Sequence, residues 1–458
     1  MQMNFNTSIK LIVLAYFVGF IYGTVVPSNK IYANNSIPQD KETTALPEIC
    51  SLKKHEVSDA YQLQGLQMQC STLSGDLVFQ NYIDPMINLG NIKIIQGSLT
   101  VEESSSLVRI EAPQLQEVGH DFKLKRLTSL TSIYMENLST VDTILWKVLP
   151  ILSTAQLGPS LKKTTKIIIS DTSLTSFDGC HNLKNLSILN LNNNRFMEEI
   201  TCNVESVSEQ LSIAANARDV EISLKELQWA NNITIRESAK IELPKLESVK
   251  NSMEFIDNYF STLKIPNLET IGGTLGLLEN RNLKTIDINN LTDVSGGIMI
   301  SKNSQLKSIN FFSKLQQIGG AIQFDGTIDK VEFPKLKLVK GSVSIISDSD
   351  DLDCSQWTSP KNGVSIIRGG KITCSSLKKE TNISLNENGE ILDSDEVEKV
   401  KDDVEGRDSK SLQPSNSASS KKANKTSSKS KTANAALSNT PFSSWSLGLI
   451  LTIPLLLS

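Results

Sequence analysis

The sequence predicts a mainly β protein, a right-handed β-solenoid of leucine-rich-like coils, and three observations carry that expectation. From about Ile92 to Ile345 the chain repeats itself every 21 to 24 residues, the period of a coil that cannot bury its own apolar stripe and must stack on its neighbours. Within each repeat apolar residues alternate with period two, the mark of a strand with one buried face. Six cysteines fall into three local pairs, before, within and after the array, where covalent caps and ties are useful.

Taken in order along the chain, the first element is a secretory signal. Lys10 precedes an apolar run from Leu11 to Tyr22, and small Gly23 ends it. This predicts a signal peptide over 1–23, since a run of twelve residues is too short to cross a bilayer comfortably. A linker over 24–49 leads to Cys50. Secretion permits disulfides, and the cysteine count is even. Cys50 and Cys70, Cys180 and Cys202, and Cys354 and Cys374 lie about twenty residues apart, although six cysteines allow fifteen connectivities. No CxxC occurs, so no zinc site is expected.

The coils come next. Leu246, Leu268, Leu291, Leu315 and Leu336 are each followed three residues later by Val249, Ile271, Val294, Ile318 and Val339. Two positions further on come Gly273, Gly296, Gly320 and Gly341, and then the alternating pairs Leu275 and Leu277, Ile298 and Ile300, Ile322 and Phe324, and Val343 and Ile345. Glycine there suits a turn or close backbone approach at the strand start. Asn280 and Asn303 occupy equivalent places, and Leu186, Leu189, Leu191 and Asn194 spell the leucine-rich core LxxLxLxxN. Between Thr143 and Leu224 the repeat is degraded, with an irregular stretch around Trp146 to Leu161. The Cys180 and Cys202 pair then reads as the boundary between two half-solenoids, 50–202 and 203–374.

Beyond Cys374 the composition changes. Glu387 to Asp408 is acidic and Ser409 to Thr432 is rich in Ser and Lys, which predicts a disordered stalk over 375–434. The last element, 435–458, carries a polar spacer and the apolar run Leu447 to Leu457 behind the small residues Asn434, Ala435 and Ala436. That is the layout of a glycosylphosphatidylinositol (GPI) signal. Asn434 is the expected attachment residue, with Ser438 and Asn439 as alternatives. The expected location is the cell surface, on the outer leaflet of the plasma membrane through the anchor, or in the cell or spore wall.

Seven Asn-x-Ser/Thr acceptors lie downstream of the signal, at Asn34, Asn137, Asn185, Asn232, Asn290, Asn382 and Asn424, and accessible ones are expected to carry glycans. Asn137 and Asn290 hold the same place in their coils, immediately before the repeat leucine. Glycans there would mark one edge and leave another sheet face free.

Catalytic chemistry has little to draw on. His55, His120 and His181 are far apart, which disfavours a His-based triad or metal cluster, and no ladder of inward Asp or Glu suggests glycoside hydrolysis. The cluster Asp348, Asp350, Asp351 and Asp353 departs from a calcium loop because Leu352 stands where an oxygen ligand belongs. Aromatics are 5% of the chain, with Tyr259, Phe260, Phe311 and Phe312 as candidate sugar platforms. No catalytic residue, metal or cofactor is assigned. A net charge of −4 and a secretory address leave no support for nucleic-acid binding.

The cysteine-bounded halves, with Gly-x-Leu-x-Val and Leu-x-x-Ile-x-Gly coils, resemble receptor L domains. With the signal peptide, sequons and GPI tail, the chain from Cys50 to Cys374 and both ends resembles the fungal family of GPI-anchored cell-wall-organisation proteins, including its sporulation-specific members. The resemblance implies a non-enzymatic role in ordering wall glucan and mannoprotein, which are then its expected partners, with the membrane held through the lipid. It also implies that Lys429 and Lys431, just upstream of the attachment site, favour retention at the plasma membrane. The lysine- and acid-containing stalk and the degraded middle repeats lean towards the branch that builds the ascospore wall. The alternative is a glycan-binding receptor or glucan-remodelling enzyme on the same scaffold.

Overall fold

A computed structural model describes residues 46–177, 179–358 and 365–398. The signal peptide, Asn34, Asn424, Asn434 and the GPI segment lie outside the described residues.

The fold is a β-solenoid of about 13 turns. Each coil contributes to up to three lanes of strands, and every lane pairs parallel to the coil before and after it. The broad lane contains Met253–Ile256, Leu275–Leu278, Ile298–Ser301, Ile322–Gly326 and Val343–Ser347, in register Phe255↔Leu277↔Ile300↔Phe324↔Ile345. A lane of two-residue strands runs alongside through Val249↔Ile271↔Val294↔Ile318↔Val339. The third lane is interrupted, and includes Thr262–Lys264 against Thr285–Asp287 and Arg109–Glu111 against Ser132–Tyr134. Every alternating apolar residue named from the sequence in the broad lane is buried, so the three lanes enclose one core. Stacking buries a stripe that a single coil would leave in water, at about 25 cal/mol for each Å² removed.

Two devices turn the chain at the ends of the broad strands. At the entry, glycine allows backbone contact between coils: a Cβ on Gly296 would lie 2.5 Å from the carbonyl carbon of Gly273, and one on Gly341 2.6 Å from that of Gly320. At the exit, one residue per coil takes a left-handed conformation, among them Glu237, Asp257, Glu279 and Lys302 at φ 57, 51, 58 and 56°. Directly behind that corner lies a buried ladder of amides. Asn280 Oδ1 accepts the Asn258 main-chain N–H at 3.0 Å and Nδ2 at 2.9 Å, while Asn280 Nδ2 donates to the Phe255 carbonyl at 2.9 Å. Asn303 repeats the pattern with Asn280 and Leu277.

The stretch read from sequence as irregular is a regular part of the ladder. Trp146 lies fully buried on Thr140–Leu149, edge-on to Phe122 at 5.5 Å and to Phe177 at 6.1 Å. The parallel broad lane also runs on past residue 202, from Asn185–Asn192 to Ser206–Ala214 and then Ile233–Arg236. What changes here is the entry corner. In Thr140–Leu149, Asn185–Asn192 and Ser206–Ala214 the two-residue strand and the broad strand merge into one long strand, with register shifts between Val141 and Thr143 and between Leu186 and Ile188. A bulge does the bending that glycine does elsewhere.

The three cysteine pairs are bonded as Cys50–Cys70, Cys180–Cys202 and Cys354–Cys374. The first ties a short 3-10 turn, Glu48–Ser51, to the end of a cap helix, Ala60–Gln69. Asp59 starts that helix by accepting the Gln62 amide at 2.9 Å, the usual service of an N-cap carboxylate. The C-terminal end departs from the expected stalk. After Gly370–Ser375 pairs parallel with Val343–Ser347, the chain doubles back as Lys379–Leu385 and again as Ile391–Glu398, both antiparallel. Residues 379–398 are therefore folded onto the solenoid, because Ile383 and Leu385 give them a buried face. Among the described residues no helix is long and apolar enough to cross a membrane.

Candidate interaction surface

The outward side chains of the broad lane form a continuous sheet face whose character follows from its rows. Near the N-terminal end Lys123, Lys125 and Lys147 stand on adjacent strands, with Lys123 salt-bridged to Glu102. The middle is made of short polar groups, Asn190, Ser212 and Thr234, in one cross-strand row. Further on, Ile256 and Leu278 are neighbours and Ile346 is 46% exposed.

The middle holds a concavity of about 370 Å³ lined by Ile188, Glu209, Gln210, Asn232, Thr234, Ser252 and Glu254. Asn232 is fixed in its floor. Its Nδ2 donates to the Glu209 carbonyl at 3.4 Å, and its Oδ1 accepts the Ser252 amide at 3.3 Å. The lining offers amide, hydroxyl and carboxylate groups, which can hydrogen-bond a polyhydroxylated chain lying on the face.

The sequons fall on different parts of the solenoid. Asn137 and Asn290 do occupy one corner: their Nδ2 atoms donate to the Pro113 and Pro266 carbonyls of the preceding coil at 2.6 and 2.7 Å. Asn185 lies on the two-residue lane, accepting the Ser206 hydroxyl at 2.7 Å. Asn232 stands directly before the broad strand Ile233–Arg236, and Asn382 lies on the antiparallel strand Lys379–Leu385, accepting the Thr373 hydroxyl at 2.9 Å. Acceptors thus stand on the corner, on the two-residue lane, at a strand entry and on the terminal hairpin, not on a single edge.

Of the candidate sugar platforms, Phe260, Phe311 and Phe312 are buried. Phe312 stacks on Phe333 at 5.0 Å as part of the packing that ends in Trp357. Tyr259 is half-buried with the Arg218 guanidinium 5.5 Å from its ring centre. Two further pairs escaped the sequence reading, Lys250 on Trp229 at 4.3 Å and Arg109 on Tyr134 at 5.3 Å. The repeat contains the signal, since 21 and 25 residues, about one coil, separate the partners. Such cation–π contacts are worth about 0.5–1 kcal/mol when exposed.

The histidines are not brought together. His55 is buried in the first coil and its pKa is pushed below the ordinary value by burial, whereas His120 and His181 are exposed. In the acidic cluster Asp353 accepts the Ser355 amide and hydroxyl, which holds its carboxyl below the usual range, and Asp350 reaches Lys378 at 3.9 Å. Among the described residues no group of three His, Cys, Asp or Glu could hold a metal ion.

No family model and no solved structure matches the chain. Known proteins do. The chain is 39% identical to Sporulation-specific protein 2 of Saccharomyces cerevisiae over 80% of its length and 75% of the relative's. It is 40% identical to Sporulation-specific protein 22 of the same yeast, over 80% and 78%. Cell surface GPI-anchored protein ECM33 of Candida albicans is 33% identical over 67% and 74%. With a solenoid capped at both ends and identity spread over most of its length, the chain belongs to the fungal family of GPI-anchored cell-surface and cell-wall proteins that includes these sporulation-specific members.

Proposed function

We propose that the protein is a GPI-anchored surface glycoprotein that organises the fungal cell wall and serves ascospore-wall assembly. It does so by holding wall glucan or mannoprotein on its broad sheet face, not by catalysis. The observation that supports the sporulation branch is the higher identity to the two sporulation-specific proteins, 39 and 40%, against 33% to the GPI-anchored surface protein of Candida albicans. The amide- and hydroxyl-rich middle of the face supports binding. In this reading Asn434 takes the anchor, Asn34, Asn137, Asn185, Asn290, Asn382 and Asn424 are the glycan acceptors, and the Asn232 acceptor, held in the floor of the concavity by Glu209 and Ser252, stays unmodified so that the middle of the face is open. The halves 50–202 and 203–374 meet where Cys180–Cys202 ties neighbouring coils, and the remainder beyond the C-terminal hairpin reaches to the membrane.

The test is the sensitivity of a strain lacking the protein to a glucan-digesting enzyme, scored in growing cells and in spores. Sensitivity confined to spores is the expected result. Sensitivity of growing cells would assign a general wall role, and no change in either would sink the proposal.

One observation favours a second reading. Two carboxylates, Glu209 and Glu254, line the same concavity, and paired carboxylates are the machinery of glycoside hydrolysis. Incubation of the protein with β-glucan separates the two. Saturable binding without new reducing ends is expected, whereas products that vanish in Glu209→Gln or Glu254→Gln would make it an enzyme.

A further inference from the structure

The N-terminal end of the solenoid is closed by the helix Ala60–Gln69, which buries Leu63 and Leu66 inward. Its outer side is uncharged, with two large apolar side chains standing among the exposed Gln62, Gln64 and Gln69. No residue of the helix is charged, and Tyr61 is 84% and Met68 78% exposed. Between them stands Gly65, where an added Cβ would meet nothing within 4 Å. Tyr61, Gly65 and Met68 are spaced i, i+4, i+7 and so share one stripe. Exposed Ile83 flanks the first turn, where the Asp84 carboxylate accepts the Ala60 amide at 2.7 Å. Exposed Leu52 follows the turn that Cys50–Cys70 ties to the other end.

We propose that this helix is a contact between two copies of the chain, with the two cap helices crossing antiparallel at Gly65. The stripe is self-complementary under a two-fold axis, as an isologous interface requires. Its midpoint falls at the glycine, where the backbones can approach, and Tyr61 of each copy meets Met68 of the other in a sulfur–aromatic contact. Charge selects the direction. A parallel pair would set Asp59 and Asp84 against their own copies. The antiparallel pair separates them by the helix length of about 15 Å, well beyond the screening length of about 8 Å.

An aromatic side chain buries about 150–250 Å², so the exposed parts of Tyr61, Met68, Ile83 and Leu52 bury on the order of 500 Å² per copy. The total of about 1,000 Å² is the lower bound for a specific interface, and the dimer is accordingly weak and reversible.

The full-length protein with Gly65→Cys, on the cell surface and treated with a thiol oxidant, tests this. It should give a dimer that reductant dissolves, reduced tenfold or more when Tyr61→Glu is added, while Lys307→Cys on a distant coil stays monomeric. Gly65→Cys that cross-links no better than Lys307→Cys, or regardless of Tyr61→Glu, overturns the proposal. A second measurement needs no new cysteine: the light-scattering mass of the detergent-extracted protein between about 1 and 100 µM, the range of a weak interface. The unmodified chain should approach the mass of two copies and Met68→Lys remain at one. A single-copy mass for both across the range overturns the proposal.

Discussion

Asn280 shows how one side chain holds three coils. It is fully buried and makes three hydrogen bonds, two from Asn258 and one to Phe255. It also gives its own amide and part of its Nδ2 to Asn303. Removing it leaves the Asn258 amide and the Phe255 carbonyl buried without those partners, and each such group costs about 1–3 kcal/mol. Asn280→Ala is therefore expected to lower unfolding stability by about 3 kcal/mol, measured by denaturant titration. Asn282→Ala, exposed on the same coil and bonded only to the Tyr259 carbonyl, should cost well under 1 kcal/mol. His55 makes a different prediction. Burial favours its neutral imidazole, and its Nε2 has no hydrogen-bond partner. Because the folded pKa lies below the unfolded value of about 6.5, the unfolded chain takes up the proton first. Its contribution to stability is then complete above that pH and is lost as pH falls towards the folded pKa. Melting temperature followed from pH 7.5 to 5 should fall more steeply for the native chain than for His55→Leu. Parallel curves would refute this.

At the scale of the element, the entry glycines decide which coils can be read from sequence. From Leu268 to Ile345 glycine, β-branched residue and alternating strand recur together, and each residue so placed lies where the period put it; the coil at Leu246 keeps the pattern with Asn251 in the glycine's place. Between residues 140 and 214 a bulged continuous strand replaces the glycine corner. The fold persists there while its spelling changes, so the repeat looks broken. Gly296→Ala tests the corner. Its Cβ would press on the Gly273 backbone, which has no rotamer by which to yield, and the cost expected of such overpacking is about 2 kcal/mol in a thermal or denaturant melt. The cap helix was illegible because only Leu63 and Leu66 face inward, while the apolar Tyr61 and Met68 face outward among four glutamines, so no helical apolar period shows. The face was legible only in part. Period two gives inward and outward, but the concavity of Glu209, Asn232 and Glu254 joins residues from adjacent coils whose register the bulges shift.

For the whole molecule the ends matter most, since a solenoid is held by neighbours and each end coil lacks one. The first coil has a helix and a disulfide. The last has the Cys354–Cys374 disulfide, Trp357 packed edge-on to Phe333 at 5.6 Å, and the hairpin that continues the sheet antiparallel. That hairpin changes what the sheet shows to other chains. Gly370–Ser375, with Ile372 and Cys374 buried, would otherwise be an open edge able to template another strand. Instead the terminal strand displays Asp393, Asp395 and Glu396, all exposed, and charge on an edge strand opposes further pairing. Two secreted chains without an anchor separate this role from mere attachment. One ends after Glu398 and the other after Ser376. The longer should stay soluble and melt like the anchored protein. The shorter should melt several degrees lower and scatter light as it associates through the bared strand. Equal melting and equal solubility would mean that the parallel coils and the Cys354–Cys374 tie suffice, and that the hairpin does no more than begin the path to the membrane.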